Sequence, residues 1–312
     1  MRFAVFGAGA VGGYFGARLA QAGHDVTFIA RGDHLNAIQT RGLRVVTPEY
    51  EFQVNPARAT DDPARVGPVD TVILGVKAWQ VETAARAMGS LIGPETMVLP
   101  LQNGVDAVPR LTNVLGPGPV IGGVCRIVST LDGPGVIRHL GADPFVAFGE
   151  LENQTTPRIQ RLYSAWGEAS GVTAQIAGDI HAAIWQKFIM IASWSGLGAI
   201  TRSPIGIFRS LPETRSMLVA ALKEILSVAQ ANHIGLPDDS VSATLAFMDS
   251  IPAASTASMQ RDIMAGRPSE LADQNGAVVR LGEQAGLATP VNTFIYHSLL
   301  PLEMQARDQQ FA

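Results

Sequence analysis

Arg2-Phe3-Ala4-Val5-Phe6-Gly7-Ala8-Gly9-Ala10-Val11-Gly12 opens the chain and decides how its first half is read. Arg2 to Phe6 is a short apolar run of the kind that forms a strand buried on both faces. The six residues from Gly7 match G-x-G-x-x-G, Val11 to Ala22 continues as a helix that Gly23 closes, and His24 to Ala30 reads as a second strand. Strand, glycine turn, helix and strand make a βαβ unit of the length that binds a dinucleotide. In that setting Gly7 permits the tight turn, Gly9 lets backbone approach a pyrophosphate, and Gly12 lets helix and strand pack closely. The phosphates would rest on the helix N-terminus, along Gly7, Ala8, Gly9, Ala10, Val11 and Gly12. A plain glycine-rich turn has the same letters, so the flanking strand and helix carry the reading.

The end of the second strand selects the dinucleotide. An acid there would accept hydrogen bonds from a ribose 2′-hydroxyl. Ala30-Arg31-Gly32 stands there instead, and a guanidinium suits a 2′-phosphate through charge-assisted, bidentate bonds. The expected cofactor is NADP(H), with Arg31 on the 2′-phosphate; an exposed loop arginine is the alternative, and Asp33 two residues on opposes the preference.

Outward from this unit, Leu43 to Val46 and Glu51 to Val54 read as short strands, and Val69 to Val76 as a buried strand ended by Lys77. A helix over about Gln80 to Leu91 and a strand from Thr96 to Leu101 lead to Gln102-Asn103-Gly104. Further strands between Val120 and Phe148, a helix near Thr156 to Gly171 and a last strand, Val172 to Ile176, complete the region. Beyond Gly178-Asp179 the pattern turns to long amphipathic helices, with Leu218, Leu222, Ile225, Leu226 and Ala229 on one face. Gly235 before Pro237 and Gly286 before Pro290 are helix stops. The expected fold is α/β: a Rossmann-type, mostly parallel sheet domain over 1–178, then an all-α domain over 179–312.

Composition agrees. A chain of 312 residues suits two domains, and 47% hydrophobic with 16% charged residues is ordinary globular usage. Lys plus Arg is 23 against 27 acids, a net of −4, so no global positive field exists to hold nucleic acid or an anionic membrane. Cys125 is alone, which excludes an internal disulfide framework and fits a reducing cytoplasm. Glycines 7, 9, 12, 13 and 16 spoil the opening as a secretory helix. Pro290, Asn292, His297 and Pro301 spoil Gln284 to Leu302 as a membrane span. The six histidines show no metal-ligand spacing, and His34 and His181 read as ordinary surface or loop residues. The apolar helices of the second domain serve either a homodimer interface or their own packing.

Ligands in open parallel sheets sit outside the carboxyl ends of the strands, which places Lys77 and Asn103 in the same crevice as the glycine turn. The plainer readings are a solvated cation and an Asn-Gly turn. In the helical half, Trp185-Gln186-Lys187-Phe188-Ile189 surrounds one cation with hydrophobes. Such a lysine snorkels to water or meets an acidic or ligand partner, and pattern alone favours snorkelling. Ser258 and Asp262 are one helical turn apart, and Gly266-Arg267-Pro268-Ser269-Glu270 reads as the start of a new helix, with Glu270 a favourable dipole partner there.

Taken together, the glycine motif, Ala30-Arg31-Gly32, Val76-Lys77-Ala78, Gln102-Asn103-Gly104, Trp185-x-Lys187, Ser258-Met259 and Gly266-Arg267-Pro268-Ser269-Glu270 resemble the ketopantoate reductase (2-dehydropantoate 2-reductase) family across essentially the whole chain. The resemblance implies an NADP-binding Rossmann domain followed by a helical domain like the C-terminal domain of 6-phosphogluconate dehydrogenase. Reduction of a small 2-keto acid would occur in the cleft between them, as a step of pantothenate biosynthesis. It further implies that Arg31 holds the 2′-phosphate, that Lys77 and Asn103 line the junction of cofactor and substrate, and that Lys187 is the general acid. Glu270 would sit beside that chemistry and the nicotinamide end, and Ser258 would hydrogen-bond the substrate.

The residue types suit the chemistry: as hydride reaches the keto carbon, charge develops on oxygen, and a lysine, cationic at neutral pH, can polarise that oxygen and protonate it. The chain departs from the family at three places, one of them a later Asn-Gly replaced around Ser203-Pro204-Ile205-Gly206. Asparagines common four and eight positions after the lysine are here Ile191 and Ser195, which would also contact substrate, so a more apolar 2-keto acid fits as well as ketopantoate. A catalytically silent NADP(H)-binding sensor is the reading from another class, opposed by the retention of Lys187 and Glu270.

Overall fold

Alternating side chains on the opening strand already require a covered sheet. In the computed structural model, which describes residues 1–141 and 143–311, the chain forms two units: Met1–Gln102 with Ala107–Ile180, and Asn103–Asp106 with everything from His181 onward. The first unit runs β1 (Arg2–Phe6), α1 (Ala10–Gln21), β2 (Asp25–Ile29), α2 (Gly32–Arg41), β3 (Leu43–Val46), β4 (Glu51–Val54) and β5 (Arg58–Thr60). It continues with β6 (Thr71–Leu74), α3 (Val81–Ala87), β7 (Met97–Pro100), α4 (Ala107–Leu115), β8 (Gly122–Arg126), β9 (Ser129–Gly133) and β10 (Val136–His139). β11 (Phe145–Gly149), α5 (Pro157–Glu168) and β12 (Thr173–Ile176) end it.

β5, β2, β1, β6 and β7 pair in that order, all parallel. Phe3 and Val5 of β1 face one apolar cluster with Phe15, Leu19 and Trp166, while Ala4 and Phe6 face another with Val81, Ala85, Met88 and Leu111. Both faces of the sheet are therefore covered, which is why β1 and β6 carry almost no polar residue. The strand order reverses between β1 and β6, so the crevice where a doubly wound sheet receives ligand lies at the glycine turn and at Gly75-Val76-Lys77.

Two smaller sheets accompany it: β4-β3-β10-β9, with β3 and β10 parallel and the other pairs antiparallel, and β12-β11-β8. The sequence pattern shows β3 and β4 but not their partner, because β10 lies about ninety residues downstream. α1 is buried on nearly every side, from Gly12 to Leu19. A side chain at Gly13 would fall 2.3 Å from Ile137 of β10, and one at Gly16 2.5 Å from Val5 of β1. Glycine is what lets sheets approach this helix from both directions.

One expectation needs correction, and one element went unread. The stretch expected as one helix over Gln80 to Leu91 is a short α-helix, α3, between single 3-10 turns at Ala78–Gln80 and Gly89–Leu91. A helix over Gly32 to Arg41 was not legible, since α2 buries only Ala37 and Ile38.

The second unit is helical: α6 (Ile180–Thr201), α7 (Ile205–Phe208), α8 (Pro212–Ala231), α9 (Ser240–Ser250), α10 (Ser258–Met264), α11 (Asn275–Gln284) and α12 (Pro290–Phe311). Leu218, Leu222, Ile225 and Ala229 of α8 are fully buried, as their spacing predicts, while Leu226 at the edge of that face is only partly buried. Glu224 of α8 accepts from the Val291 and Asn292 amides at 2.8 and 3.0 Å, capping donors that the start of α12 leaves open. Among the described residues no helix is long and apolar enough to cross a membrane.

A second correction concerns Gly266 to Glu270, which does not start a helix. Gly266, at φ +64°, ends α10. The Glu303 carboxylate accepts from the amide and hydroxyl of Ser269, and α11 begins only at Asn275. Glu270 thus precedes the helix by a full turn instead of capping it.

Candidate functional site

In the first unit the turn after β1 is a cradle of backbone. Gly7 adopts φ +95°, and a Cβ there would lie 2.8 Å from the Val76 amide nitrogen. A Cβ at Gly12 would lie 2.3 Å from the Gly7 carbonyl oxygen. Gly9 differs: a Cβ there would meet no heavy atom within 4 Å. Two glycines are thus required by the protein itself, and the middle one leaves open space beside the start of α1. That helix has no side-chain cap and no acid in its first turn, so its free N–H groups and dipole remain available to an anion.

Arg31 is the exposed N-cap residue of α2, with extended backbone, φ −138° and ψ 162°. Asp33 lies in the first turn of the same helix. Lys77 follows β6 and is exposed, its ammonium 5.7 Å from the centre of the Trp79 ring. The Gln102 side-chain amide donates to the Leu74 and Val76 carbonyls at 2.8 and 2.9 Å, tying the loop after β6 to the end of β7. Its carbonyl oxygen is buried without a hydrogen-bond partner.

His34 was missed by sequence reasoning. Its Nε2 lies 2.7 Å from the Ala8 carbonyl oxygen, inside the glycine turn, and its Nδ1 accepts from the Gly135 amide at 3.0 Å. With α2 illegible in the sequence, nothing indicated that a residue three positions after Arg31 would turn back onto Ala8.

In the second unit, Asn103 Nδ2 donates to Glu270 Oε2 at 3.3 Å, and Gln274 Nε2 reaches the same oxygen at 3.4 Å. Glu270 is 7% exposed. Gly104, at φ +101°, packs so closely that a Cβ would be 2.7 Å from the Asp273 carbonyl oxygen. Arg280 grips both Asp106 oxygens at 2.7 Å. These contacts explain why Asn103–Asp106 clusters with the helical unit although β7 belongs to the first.

α6 carries Lys187, Ile191 and Ser195 at intervals of four, hence along one face. Trp185, Phe188 and Ile189 are in the core, and Lys187 between them is half-buried. Ile191 is 9% exposed, whereas Ser195 is fully buried with its hydroxyl unpartnered. Ser258 is half-buried at the first position of α10. Among the described residues neither Lys187 nor Ser258 makes a side-chain hydrogen bond or ion pair. The structure therefore joins Asn103 to Glu270 directly, and leaves Lys187 and Ser258 with their polar atoms uncommitted.

Comparison with known proteins is consistent along the whole chain. Residues 3–153 match the family described as Ketopantoate reductase PanE/ApbA, and 179–303 match its C-terminal family. A 2-dehydropantoate 2-reductase of Mesorhizobium japonicum is 30% identical, over 93% of this chain and 94% of its own. The crystal structure of a family ketopantoate reductase from Ralstonia eutropha JMP134 superposes with a TM-score of 0.89 at 31% identity, covering 98% of this chain and 100% of that one. A D-mandelate dehydrogenase solved with NADH and anilino(oxo)acetate reaches a TM-score of 0.88 at 26% identity, covering 98% and 100%.

Proposed function

The chain belongs to the ketopantoate reductase family, and on that footing we propose that it reduces a 2-oxo acid to the 2-hydroxy acid with NADPH, 2-dehydropantoate to pantoate being the leading reaction. The single observation that carries this is the glycine cradle, in which Gly7 and Gly12 are fixed by packing while Gly9 faces open space beside an uncapped, acid-free helix N-terminus. Those features fit a pyrophosphate. The exposed Arg31 at the start of α2, where an acid would select a free ribose, supports a 2′-phosphate and so NADP(H).

When bound, the reduced dinucleotide supplies hydride. Lys187 then polarises the 2-oxo group and delivers a proton to its oxygen, a role suited to an ammonium with no side-chain partner among the described residues. Its charge also favours the substrate carboxylate. Asn103 spends one amide hydrogen on Glu270 and keeps the second for a ligand oxygen. Glu270 thereby orients that amide; by the family resemblance Glu270 would serve the nicotinamide end, Lys77 would line the cofactor side, and Ser258 would offer a hydroxyl to substrate.

Ile191 and Ser195 favour a second reading, reduction of a more apolar 2-oxo acid. One is aliphatic and the other fully buried, so neither presents an exposed amide to a substrate hydroxyl. The likeness to a D-mandelate dehydrogenase, whose 2-hydroxy acid carries an aryl group, supports it. Purified protein with NADPH and a panel of 2-oxo acids separates the readings by loss of dihydronicotinamide absorbance. Turnover of ketopantoate supports the first, and turnover of aryl or alkyl 2-oxo acids alone supports the second. Tight NADPH binding with no turnover would leave a sensor. Lys187→Ala is expected to cut kcat by about a hundredfold with NADPH affinity retained.

A further inference from the structure

We propose that His34 is a positioning residue of the dinucleotide turn: by holding the Ala8 carbonyl it aims the Gly9 N–H at the bound phosphates. This rests on the dinucleotide reading above.

The chemistry of its neighbours fixes the state of the ring. The Gly135 amide can only donate, so Nδ1 is an acceptor; the Ala8 carbonyl can only accept, so Nε2 carries the hydrogen. Both bonds coexist only in the neutral Nε2–H tautomer. His34 thereby bridges three segments: α2, the glycine turn, and the tight connection between β9 and β10 in which Gly135 sits at φ +77°.

The consequence follows from peptide geometry. The Ala8 carbonyl and the Gly9 N–H belong to one planar trans peptide and point in opposite directions. Fixing the oxygen against His34 therefore fixes the N–H pointing away from the imidazole, on a residue whose own surroundings are open, since a Gly9 side chain would meet nothing within 4 Å. No backbone carbonyl among the described residues accepts from that N–H. The Ala8 amide is itself held by the Ile29 carbonyl at 3.2 Å, so Ala8 is gripped at both ends. Gly13 leaves the room this requires, since a Cβ there would lie 2.8 Å from the Ala8 oxygen. From the other side, Ser129 at the start of β9 donates to the Ala10 carbonyl at 3.1 Å.

The test is titration of NADPH and of NADH into wild type, His34→Ala, His34→Gln and His34→Asn, with thermal midpoints to establish folding. A glutamine amide reaches the position of Nε2 and can still donate to Ala8; an asparagine amide reaches only the position of Nδ1. His34→Ala is expected to weaken both dinucleotides by the same factor, about tenfold. Its KM for the dinucleotide should rise accordingly, with kcat at saturation within about twofold of wild type. Glutamine should restore most of the affinity and asparagine little, a contrast that stands even if the alanine variant folds poorly. Wild-type affinity in all three variants, or rescue by asparagine equal to that by glutamine, would overturn the assignment alone. Failure of wild type to bind either dinucleotide would overturn it together with the proposed function.

Discussion

Asn103 and Glu270, 167 positions apart, meet through a 3.3 Å hydrogen bond from amide to carboxylate. The pair is within one unit, and it is a direct link between two residues that the sequence singled out separately. Glu270 is 7% exposed, so its carboxylate is held largely out of solvent.

Asn103→Ala leaves Gln274 as a donor at 3.4 Å to the same oxygen. In a double-mutant cycle with Glu270→Gln, followed by urea unfolding, the two positions should couple by about 1.5 kcal/mol, the low end for a hydrogen bond to a charged group, as suits a 3.3 Å contact. Additive effects would show that the contact contributes nothing. Either single variant should also lose turnover beyond its loss of folded protein at saturating substrate.

Legibility in the sequence followed locality. β1, α1 and β2 were readable because an apolar run, a glycine turn and a periodic helix occupy consecutive residues. The parallel pairing of β3 with β10 was not, because no local pattern reports a partner ninety positions away. α2 escaped because Gly-Asp-His-Leu-Asn-Ala-Ile-Gln-Thr-Arg buries two residues and lacks an apolar stripe. The separate roles of Gly7, Gly9 and Gly12 were legible from the motif in its βαβ setting, and the packed structure adds the contacts: Gly7 and Gly12 are pressed by backbone, and Gly9 faces space. Glu270 was misplaced at a helix start because the Glu303 carboxylate that captures Ser269 comes from α12, 34 residues later.

That separation of glycines predicts opposite phenotypes. Gly12→Ala forces a Cβ to 2.3 Å from the Gly7 oxygen, an overlap with backbone that should cost about 2 kcal/mol and lower the thermal midpoint. Gly9→Ala fills open space, so its midpoint should match wild type while dinucleotide affinity falls. A stable Gly12→Ala, or a Gly9→Ala that binds normally, would contradict the roles assigned to the turn.

Glu150, 4% exposed at the end of β11, accepts from Arg158 Nε and Nη2 at 2.7 and 2.6 Å and from the Thr156 hydroxyl at 2.6 Å. Burial alone would raise its carboxyl pKa, but the hydrogen bonds from Arg158 and Thr156 and the Arg158 charge outweigh it and leave it below the ordinary value of 4.5. A depressed folded pKa means stability that is fully present above the unfolded value and lost as pH falls through the folded one. Glu150→Gln should therefore be less stable than wild type at neutral pH, with the gap closing only below about pH 4.5. A gap that persists unchanged at pH 3 would show that packing, not the ion pair, accounts for it.

Arg31 and Asp33 stand at the start of α2 with opposite charges, one at the N-cap and one in the first turn, so cofactor choice reduces to which of them faces the ribose. A 2′-phosphate gains from a guanidinium and loses from a carboxylate at the same helix end; a 2′-hydroxyl is nearly indifferent to the first and can donate to the second. Arg31→Ala should weaken NADPH by about tenfold or more and leave NADH unchanged. Asp33→Ala should shift affinity modestly the other way, toward NADPH. Because Arg31 is exposed, the wild-type preference should also shrink as ionic strength rises. If Arg31→Ala weakens NADPH and NADH equally, the arginine acts on the shared part of the dinucleotide and the basis given for NADP(H) fails.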